Sequence, residues 1–411
     1  MPEAEPLAFN PFDPGFRIDP YPTYRRLREE DPIHETPFGA HVLSRYADCV
    51  AVLRDPRSSS DATNSLEYEQ LVAEQGQDPN EGFLGGARPF LFLDPPDHTR
   101  LRGLVSKAFT PKVVEGLRPR IQELVDGLLD ALAEKGSMEV IEDLAYPLPV
   151  GVICEMMGVP TADHATFKEW SRALARSLDP VEIMPAEEVE QRQRTVTQFA
   201  DYFRALIEKR RAEPRDDLLS ALIAAEEAGD KLTAEELLAT CILLLVAGHE
   251  TTVNLIGNGT LALLRHADQL QKLRADPSLA KNAVEEVLRY DPPVQMTVRI
   301  ALEDMEIGDV ALAKGKQAIL LLASANRDPD QFPDPERFDI TRDASHHIAF
   351  GYGVHFCLGA PLARVEGEIA LGTLVRRVQG LELRTEAPAY KENIVLRGLA
   401  SLPVGFRAVS G

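Results

Sequence analysis

The sequence predicts one large, mostly helical domain of the α-rich α+β class, with small antiparallel sheets. Between Asp97 and Tyr290 the apolar residues recur with the 3.6-residue helical period, and short β-prone runs lie outside that region. No Pro/Gly/Ser linker, composition break or internal repeat divides the 411 residues. We therefore expect a single domain over residues 1–411, of which residues 1–20 form a Pro-rich arm.

The N-terminal part of the chain is predicted to contain the first mixed elements. Its patterns indicate a helix around Tyr21–Glu30, a strand at Ala40–Ser44 and a helix around Tyr46–Arg54. Residues 57–96 contain the turn-forming stretches GGARP and DPPD, so we expect mainly loop with one helical turn around Glu67–Glu74. A loop of this length is more often functional than idle.

Prolines divide the helical middle of the chain into about nine helices. The longest is predicted to run from about Thr233 to Arg265, because Thr233 and Glu236 have the spacing of a capping box. After Pro292-Pro293 the sequence predicts β-prone runs, an irregular Pro-rich stretch, one more helix and terminal strands. The runs are Thr297–Leu302 and Ala318–Leu322, the irregular stretch is Asn326–Asp343, and the helix follows Cys357.

Charge and hydropathy exclude several classes of protein. A formal net charge of −21 argues against general nucleic-acid binding, since phosphates require a basic surface. The first residues, MPEAEPLAFNPFDPGF, lack the positive charge and apolar core of a signal peptide. The longest apolar run in a helical context, Cys241 to Ala247, is far shorter than the roughly 20 residues that span a bilayer. We expect a cytoplasmic monomer that binds neither membrane nor nucleic acid.

The four cysteines lie far apart and form no CxxC motif, so they indicate neither a zinc site nor a redox pair. Cys49, Cys154 and Cys241 each lie in an apolar helical pattern, where free cysteine behaves as a small buried hydrophobe. Cys357 lies instead in the segment FGYGVHFCLG, directly before a helical pattern. The residues around Cys357 therefore need a different explanation.

The cysteine segment has the properties that a thiolate metal ligand requires. A helix N-terminus supplies backbone N–H donors and partial positive charge, which favour the anionic sulfur. Gly351 and Gly353 allow unusual backbone conformations and close approach to a flat ring, and Gly359 allows the following helix to pack close to it. The alternative is a buried cysteine beside a Gly-rich turn. Six fixed positions, however, match by chance only about once in 10⁵ chains of this length.

This segment resembles, position by position, the haem-binding loop of the cytochrome P-450 family. The resemblance implies the fold of that family, with haem b held between the long central helix and the helix after the cysteine. It also implies that Cys357 is the proximal iron ligand. Phe350, Gly351, His355 and Gly359 would contact the cofactor.

Within the long helix, Ala247-Gly248-His249-Glu250-Thr251-Thr252 is similar to the oxygen-activating stretch of the same family. Small and polar residues interrupt an apolar helix here, which lowers helix propensity without adding core. A groove explains them better, because missing side chains at Ala247 and Gly248 would leave room for dioxygen. Thr251 could bond back to the preceding turn and locally open the helix. Glu250 and Thr251 would then relay protons.

Two further motifs occur in the order expected for the family. Glu286-Val287-Leu288-Arg289 matches its ExxR pattern, although two fixed residues alone arise by chance about once or twice in such a chain. The ordinary alternative is a solvated ion pair. Pro335-Glu336-Arg337-Phe338 downstream resembles the segment that supplies a second arginine. We therefore predict a buried ionic cluster of Glu286, Arg289 and Arg337 that fixes the Pro-rich segment before Cys357.

Haem carries two propionates, which need cations or hydrogen-bond donors when buried. His98 and Arg102 lie one helical turn apart and face the same side of a helix. Arg299, in a β-prone run, and His355 complete the candidates. Each of them alone is more often an ordinary surface residue, but all four match positions that contact propionates in the family.

The resemblance implies a monooxygenase that inserts one oxygen atom from O₂ into a hydrophobic small molecule. Electrons would come ultimately from NAD(P)H through an external ferredoxin-type donor, because the length fits a haem domain without a fused reductase. Hydroxylation or epoxidation of a polyketide, terpenoid, steroid or fatty acid would fit. By analogy with the family, the substrate pocket is expected to be lined by mostly large apolar residues: Phe90, Leu91, Leu243, Val246, Ala247, Val294 and Leu399.

Three alternatives differ from this function. A peroxide-driven peroxygenase on the same fold would carry an arginine beside a proline in place of the Glu250-Thr251 pair. A haem-thiolate sensor or carrier would bind a ligand without turnover and would not need that relay. A cysteine hydrolase would need a partnered histidine and an oxyanion site. The intact relay favours the monooxygenase.

One segment departs from the acidic character of the chain. Between Asp97 and Arg120 six basic residues stand against two acidic ones, a local excess of +4. Solvated helix faces are the usual explanation for such charges. Because Arg102 is expected near the haem, we instead predict that Lys112 and Arg118 belong to a surface that attracts an acidic ferredoxin.

Overall fold

The helical middle region forms as the sequence periodicity predicts. A computed structural model describes residues 7, 9–75, 87–174, 176, 179, 184–227 and 232–410. Residues 1–6 and 8 of the predicted Pro-rich arm, and residues 76–86 of the predicted loop, lie outside the described residues. The α-helices are α1 (Pro14–Ile18), α2 (Tyr21–Glu30), α3 (Tyr46–Arg54), α4 (Leu66–Gln75), α5 (Asp97–Val105), α6 (Pro111–Gly116), α7 (Arg118–Asp130), α8 (Pro147–Met156), α9 (His164–Leu174), α10 (Ala186–Ala212), α11 (Leu218–Glu227), α12 (Ala234–Arg265), α13 (Ala267–Ala275), α14 (Ala280–Tyr290), α15 (Leu322–Ala325) and α16 (Ala360–Arg377).

Short strands form four small sheets in the described residues. The strands are β1 (Ile33–Glu35), β2 (His41–Leu43), β3 (Ser58–Ser59), β4 (Ser137–Glu139), β5 (Thr297–Ala301), β6 (Met305–Ile307), β7 (Val310–Leu312), β8 (Gln317–Leu320), β9 (Val378–Gln379), β10 (Glu382–Leu383), β11 (Pro403–Gly405) and β12 (Ala408–Val409). The largest sheet has the order β1-β2-β8-β5-β3. Its β2–β8 pair is parallel, so this sheet is mixed, whereas the sequence predicts antiparallel sheets. Parallel pairing is possible because 273 residues separate the strands and can make the crossover.

Several short elements escape the sequence patterns. Strands β1, β6 and β7 have three residues each, too few to show an alternation. β4 lies within the region predicted to be helical and pairs with β11 near the C-terminus. Ten α-helices, rather than about nine, lie between Asp97 and Tyr290 among the described residues. Short 3-10 turns also occur, including Phe90–Phe92 before α5 and Gly353–His355 before α16.

The long helix α12 has the predicted start. The Thr233 hydroxyl accepts from the Glu236 backbone N–H at 3.1 Å, and the Glu236 carboxylate accepts from the Thr233 N–H at 2.8 Å, which completes the capping box. By length and hydropathy α12 could also cross a membrane, but 78% of its most apolar 18-residue window is buried inside the protein. Helix α12 is therefore part of the hydrophobic core.

Helices α12 and α16 approach closely because glycines lie where they meet. A Cβ on Gly367 would lie 3.1 Å from a Leu255 methyl, and a Cβ on Gly259 would lie 2.8 Å from a Leu371 methyl. Gly367 lies eight residues after Gly359, which is about 12 Å along a helix. The contact thus holds α16 against α12 beyond the turn that carries Cys357.

Candidate active site

Cys357 lies in a tight turn directly before α16. Its backbone N–H donates to the Phe350 carbonyl at 2.9 Å. Gly351 and Gly353 have φ angles of +70° and +71°, which other residues rarely adopt. A Cβ on Gly353 would also lie 2.5 Å from the backbone oxygen of Leu53. The two glycines therefore allow the chain to bring the cysteine to the start of the helix.

The Cys357 side chain is exposed, whereas Cys49, Cys154 and Cys241 are buried. Desolvation by the protein atoms packed around it nevertheless raises the pKa of the thiol. The backbone N–H of Gly359, the Arg102 guanidinium and the backbone N–H of Ala360 all lower that pKa. A helix start combined with a nearby cation is the environment that favours a thiolate ligand.

Four side chains that can carry positive charge converge beside the cysteine turn. The His98 and His355 rings are 4.1 Å apart between centroids, and Arg102 donates to the Phe356 carbonyl. Burial, Arg299, His98 and Arg102 together lower the pKa of His355 to about 3. Burial and then Arg102 lower the pKa of His98, while a single acid, Asp94, raises it. The cluster therefore has more cationic groups than carboxylates.

These residues fit the propionates of the haem that the resemblance implies. His98 is 2% exposed, and neither of its ring nitrogens, nor Nε2 of His355, has a partner among the described residues. Arg299 is also buried and donates to Thr297 and Val298 of its own strand. Buried donors and cations of this kind suit carboxylate groups. A Cβ on Gly359 would meet nothing within 4 Å, so the turn also leaves open space at this glycine.

The groove predicted in α12 corresponds to a short stretch of partly exposed residues in a helix that is buried on both sides of it. Val246, Ala247, Gly248 and Thr251 are not fully buried, although neighbouring residues on both sides are. The Thr251 hydroxyl donates to the Ala247 carbonyl at 3.3 Å, the back-bond that the sequence suggests. Helix α12 nevertheless remains α-helical from Ala234 to Arg265, so the back-bond does not open it.

Gly248 has a packing role that the sequence did not indicate. A Cβ at this position would lie 3.2 Å from Cγ1 of Ile153 in α8. The missing side chain thus lets α8 approach α12, in addition to any room that it leaves for dioxygen.

The ExxR residues of α14 form a fully buried pair. Arg289 donates through Nε and Nη2 to the two Glu286 carboxylate oxygens at 2.7 and 2.8 Å, and both side chains are 0% exposed. Arg289 also donates to the carbonyls of Asn326, Pro335 and Arg337. The pair thereby binds the irregular segment that precedes Cys357.

The prediction that Arg337 is the third member of this cluster was wrong. The Arg337 side chain is 58% exposed and contacts Asp339 at 3.3 Å; only its backbone carbonyl reaches Arg289. Arg342 instead lies 3.5 Å from Glu286, with its side chain 14% exposed. The carbonyls of Pro333 and Asp334 hold the Arg342 guanidinium there. A motif match cannot tell a backbone contact from a side-chain contact.

The residues expected to line a substrate pocket belong mostly to one apolar cluster. Phe90, Leu243 and Leu399 are core members of it, and Leu91 and Val246 pack against it. Val294 instead packs against a different cluster, beside the strands of the large sheet. Ala247 is the one exposed member of the predicted set.

Three residues near the proposed relay were missed at the sequence level. Lys391 and Asn254 contact each other at 3.0 Å, and Lys391 also forms an ion pair with Glu250. Glu366 of α16 is buried beside Thr252, and burial raises the pKa of its carboxyl to about 8. Thr252 lies close to this carboxyl group. Neither carboxylate oxygen of Glu366, however, has a fully formed hydrogen bond among the described residues. An acid inside an apolar helical pattern could have indicated Glu366, whereas no local pattern indicates Lys391.

Comparisons with known proteins match almost the whole chain. Residues 80–400 match the family described as Cytochrome P450. The chain is 45% identical over 402 residues to cytochrome P450 monooxygenase PikC of Streptomyces venezuelae, covering 95% of this chain and 92% of that protein. It is 44% identical to vitamin D(3) 25-hydroxylase of Pseudonocardia autotrophica, covering 96% and 95%. The crystal structure of myxobacterial cytochrome P450 CYP267B1 in complex with myristic acid superposes with a TM-score of 0.88 at 44% identity, covering 96% and 98%.

Proposed function

Since this chain belongs to the cytochrome P450 family, we propose that Cys357 would hold the haem iron and that the substrate is an apolar small molecule. The chain is a haem-thiolate monooxygenase, and its cofactors are haem b, O₂ and electrons supplied through redox partners. This confirms the fold class and the reaction class that the sequence predicts. The assignment of individual residues is our proposal.

The proposal for Cys357 rests on one observation above all: an exposed cysteine at a helix start lies beside buried histidine nitrogens that have no hydrogen-bond partner among the described residues. The bound haem supplies the oxidising chemistry. Arg102 would serve twice, because its guanidinium lowers the pKa of the Cys357 thiol and also faces His98 and His355. With His98, Arg299 and His355 it would bind the propionates.

Glu250 and Thr251 are proposed to deliver protons to the oxygen side of the site. Thr251 borders the unburied part of α12, and Glu250 precedes it with one carboxylate oxygen free of protein partners among the described residues. A carboxyl group and a hydroxyl group can pass a proton when they lie within hydrogen-bond reach or are joined by one water. The same pair argues against a peroxygenase or a non-catalytic sensor.

The substrate is proposed to be hydrophobic. Apolar side chains from the 3-10 turn before α5 and from α12 share one cluster with Leu399, so bound groups there would lose water to an apolar surface. One similar protein is a vitamin D(3) hydroxylase and another binds myristic acid, both largely apolar molecules. A polyketide, terpenoid, steroid or fatty acid fits this description. The cytoplasmic location and the monomeric state stay predictions.

A ferredoxin-type protein is the proposed electron donor, since redox partners of that kind generally serve this family. Its docking surface is proposed near α5 and α6, where Lys107 and Lys112 are exposed. Electrons would come ultimately from NAD(P)H.

Iron ligation is tested by the spectrum of the reduced carbon-monoxide complex. The wild-type protein should bind one haem and show the red-shifted Soret band of thiolate ligation, and Cys357→Ser should lose that shift. Cys154→Ser is the matched control, because that thiol is fully buried in α8 and its loss should leave the band unchanged. A full red shift in Cys357→Ala would show that another residue holds the iron. Optical titration of the wild type with steroids, fatty acids and macrolides would then identify the substrate class.

A further inference from the structure

Two neighbouring acids of α14 contact different segments of the chain. Glu286 pairs with Arg289, whereas Glu285 binds Arg364 of α16. Arg364 donates through Nε and Nη2 to the two Glu285 carboxylate oxygens at 2.6 and 3.0 Å. Nε2 of His347, in the loop that precedes α16, lies 3.1 Å from the same carboxylate. We call Glu285, Arg364 and His347 the Glu285 triad.

The Glu285 triad holds one positive and one negative charge. His347 Nδ1 accepts from the Ala349 backbone N–H at 3.1 Å, so that nitrogen carries no proton and Nε2 donates to Glu285. The imidazole ring is therefore neutral. Burial raises the pKa of Glu285, but hydrogen bonds from His347 and Arg364 lower it to about 2, so the carboxyl group is ionised at neutral pH. The negative charge of Glu285 thus balances the positive charge of Arg364.

Arg364 brings the triad into contact with the cysteine turn. Its guanidinium carbon lies 4.6 Å from the centroid of the Phe350 ring, within the range of a cation–π contact. The Phe350 carbonyl in turn accepts from the Cys357 backbone N–H at 2.9 Å. The His347 and Phe350 rings are also close, with centroids 5.8 Å apart. Burial raises the pKa of the Cys357 thiol, and the Arg364 charge is one of the effects that lower it.

The two arginines near the sulfur differ in their partners. Arg102 donates to the backbone carbonyl of Phe356, a neutral acceptor that does not cancel its charge. Arg364 is instead held by the Glu285 carboxylate, which cancels most of its charge at a distance. Loss of the Glu285 carboxylate would therefore add a unit of positive charge beside Cys357. Loss of the Arg364 guanidinium would add a unit of negative charge.

Charge close to a metal ligand changes the energy of an electron-transfer step. An added electron is favoured by nearby positive charge and opposed by nearby negative charge, by an amount that depends on distance and local dielectric. The Glu285 and Arg364 side chains are 13% and 31% exposed, so solvent screens their charges only in part. A change of one charge in this pair should therefore be felt at the sulfur of Cys357.

We propose that Glu285, held by His347, is a positioning residue that balances the Arg364 charge beside Cys357 and thereby sets the potential at which the bound haem accepts an electron. The inference rests on the proposed function. The step concerned is the one-electron reduction of ferric to ferrous iron, with the electron supplied by the redox partner. Arg364 acts through the cysteine turn, since its guanidinium lies against Phe350. Glu285 acts through Arg364.

The decisive variants are Glu285→Gln, Arg364→Gln and the double variant, studied as haem-loaded, substrate-free protein. In Glu285→Gln the Arg364 charge loses its balance, so the equilibrium constant for reduction should rise about fivefold, which is about 40 mV for one electron. In Arg364→Gln it should fall by a similar factor. The double variant removes both charges and should lie within about twofold of the wild type. Spectroelectrochemical titration measures the three potentials.

A vibrational measurement tests the same charge without electron transfer. Positive charge beside the sulfur reduces its donation to iron, so less electron density reaches the antibonding orbital of bound carbon monoxide. The C–O stretching frequency of the reduced complex should therefore rise in Glu285→Gln and fall in Arg364→Gln. Glu285→Asp keeps the charge and should return both the frequency and the potential toward the wild-type values. An Asp variant that is shifted as far as the Gln variant would contradict the proposal.

The Arg118–Glu368 pair provides the matched control. It also anchors α16, one helical turn beyond Arg364, with two hydrogen bonds of 3.1 and 2.8 Å and side-chain exposures of 32% and 26%. Glu368→Gln should lower the thermal midpoint about as much as Glu285→Gln does, but leave the potential and the C–O frequency unchanged.

The outcomes separate a charge effect from a structural one. If Glu285→Gln and Arg364→Gln lower the thermal midpoint but move the potential by less than about twofold, or in the same direction, the Glu285 triad is a structural tie and the proposal is overturned. Either single variant decides the matter if the other does not fold, because each has its own expected sign. A wild type without the red-shifted carbon-monoxide band would instead contradict the proposed function itself.

Discussion

At the scale of single residues, chemistry in this protein depends on what surrounds a side chain rather than on its type. Burial raises the thiol pKa of Cys154 to about 12, and those of Cys49 and Cys241 further still, so these residues are unreactive hydrophobes. Cys357 differs because two cations, Arg102 and Arg364, add to the backbone N–H groups that oppose the effect of burial. Thr251 and Thr260 provide a second comparison on one helix.

Both threonines bond back to the carbonyl four residues earlier, at 3.3 Å for Thr251 and 2.8 Å for Thr260. Thr251 borders the groove, whereas Thr260 is 1% exposed. We predict that Thr251→Ala still binds substrate and consumes reductant but forms peroxide in place of product, because the proton donor is lost. Thr260→Ala should leave coupling unchanged. Product formed per reductant consumed is the measurement, and a wild-type ratio in Thr251→Ala would refute the relay.

At the scale of elements, the Glu286–Arg289 ion pair in α14 links the helical core to the segment that precedes Cys357. Glu286 accepts from the Asp339 backbone N–H at 2.9 Å, and Arg289 donates to three carbonyls of the irregular segment. A buried pair that also satisfies backbone groups is costly to break, since the remaining charge loses its partner. Its contribution therefore extends beyond one helix.

We expect Glu286→Gln to lower the free energy of unfolding by about 3–5 kcal/mol and to reduce haem content, because Arg289 would keep a buried, unpaired charge. Arg337→Ala should change stability by only about 0.5 kcal/mol, as its side chain is exposed. Urea unfolding followed by circular dichroism, together with haem absorbance, measures both. A large loss of stability in Arg337→Ala would instead support the cluster of Glu286, Arg289 and Arg337 that the motif alone suggests.

At the scale of the whole molecule, the local basic excess near α5 is smaller than the sequence indicates. Arg118 contacts Glu115 and Glu368, and Arg120 contacts Glu123 and Glu155, so acids neutralise both. Arg100 is likewise paired, with Asp97 and Glu236. Lys107 and Lys112 are the exposed cations left to attract an acidic protein within the described residues of this segment. Long-range attraction depends on such unneutralised charge.

We predict that the double variant Lys107→Glu/Lys112→Glu slows reduction by ferredoxin about tenfold at low salt, and that added salt removes most of the difference. Reduction by dithionite should be unaffected. Lys209→Glu, a single reversal of the same kind on α10, should behave as the wild type. Arg118→Glu, a position that the sequence assigns to the docking surface, should mainly destabilise the contact with Glu368. Stopped-flow absorbance measures each rate, and a rate insensitive to the charge reversals and to salt would place docking elsewhere.

The sequence by itself determined the fold class, the family and the motif residues, because each depends on local pattern. Helices α2 and α3 begin and end where periodicity predicts, and the capping box fixes the start of α12. The cysteine segment could be proposed as the haem-binding turn from sequence alone, because its glycines and its helix start are neighbours in sequence. The single domain over residues 1–411 stays a prediction, with the family match covering 80–400.

Tertiary structure alone decided the contacts between distant residues. Lys391 reaches Glu250 across 141 positions, Arg342 rather than Arg337 approaches Glu286, and β4 leaves the helical region to pair with β11. Periodicity reports which face of an element is buried, but not which other element covers that face. Ion pairs form between groups that the folded backbone brings within a few ångströms. Their partners are therefore set by packing, and no local pattern in the sequence records them.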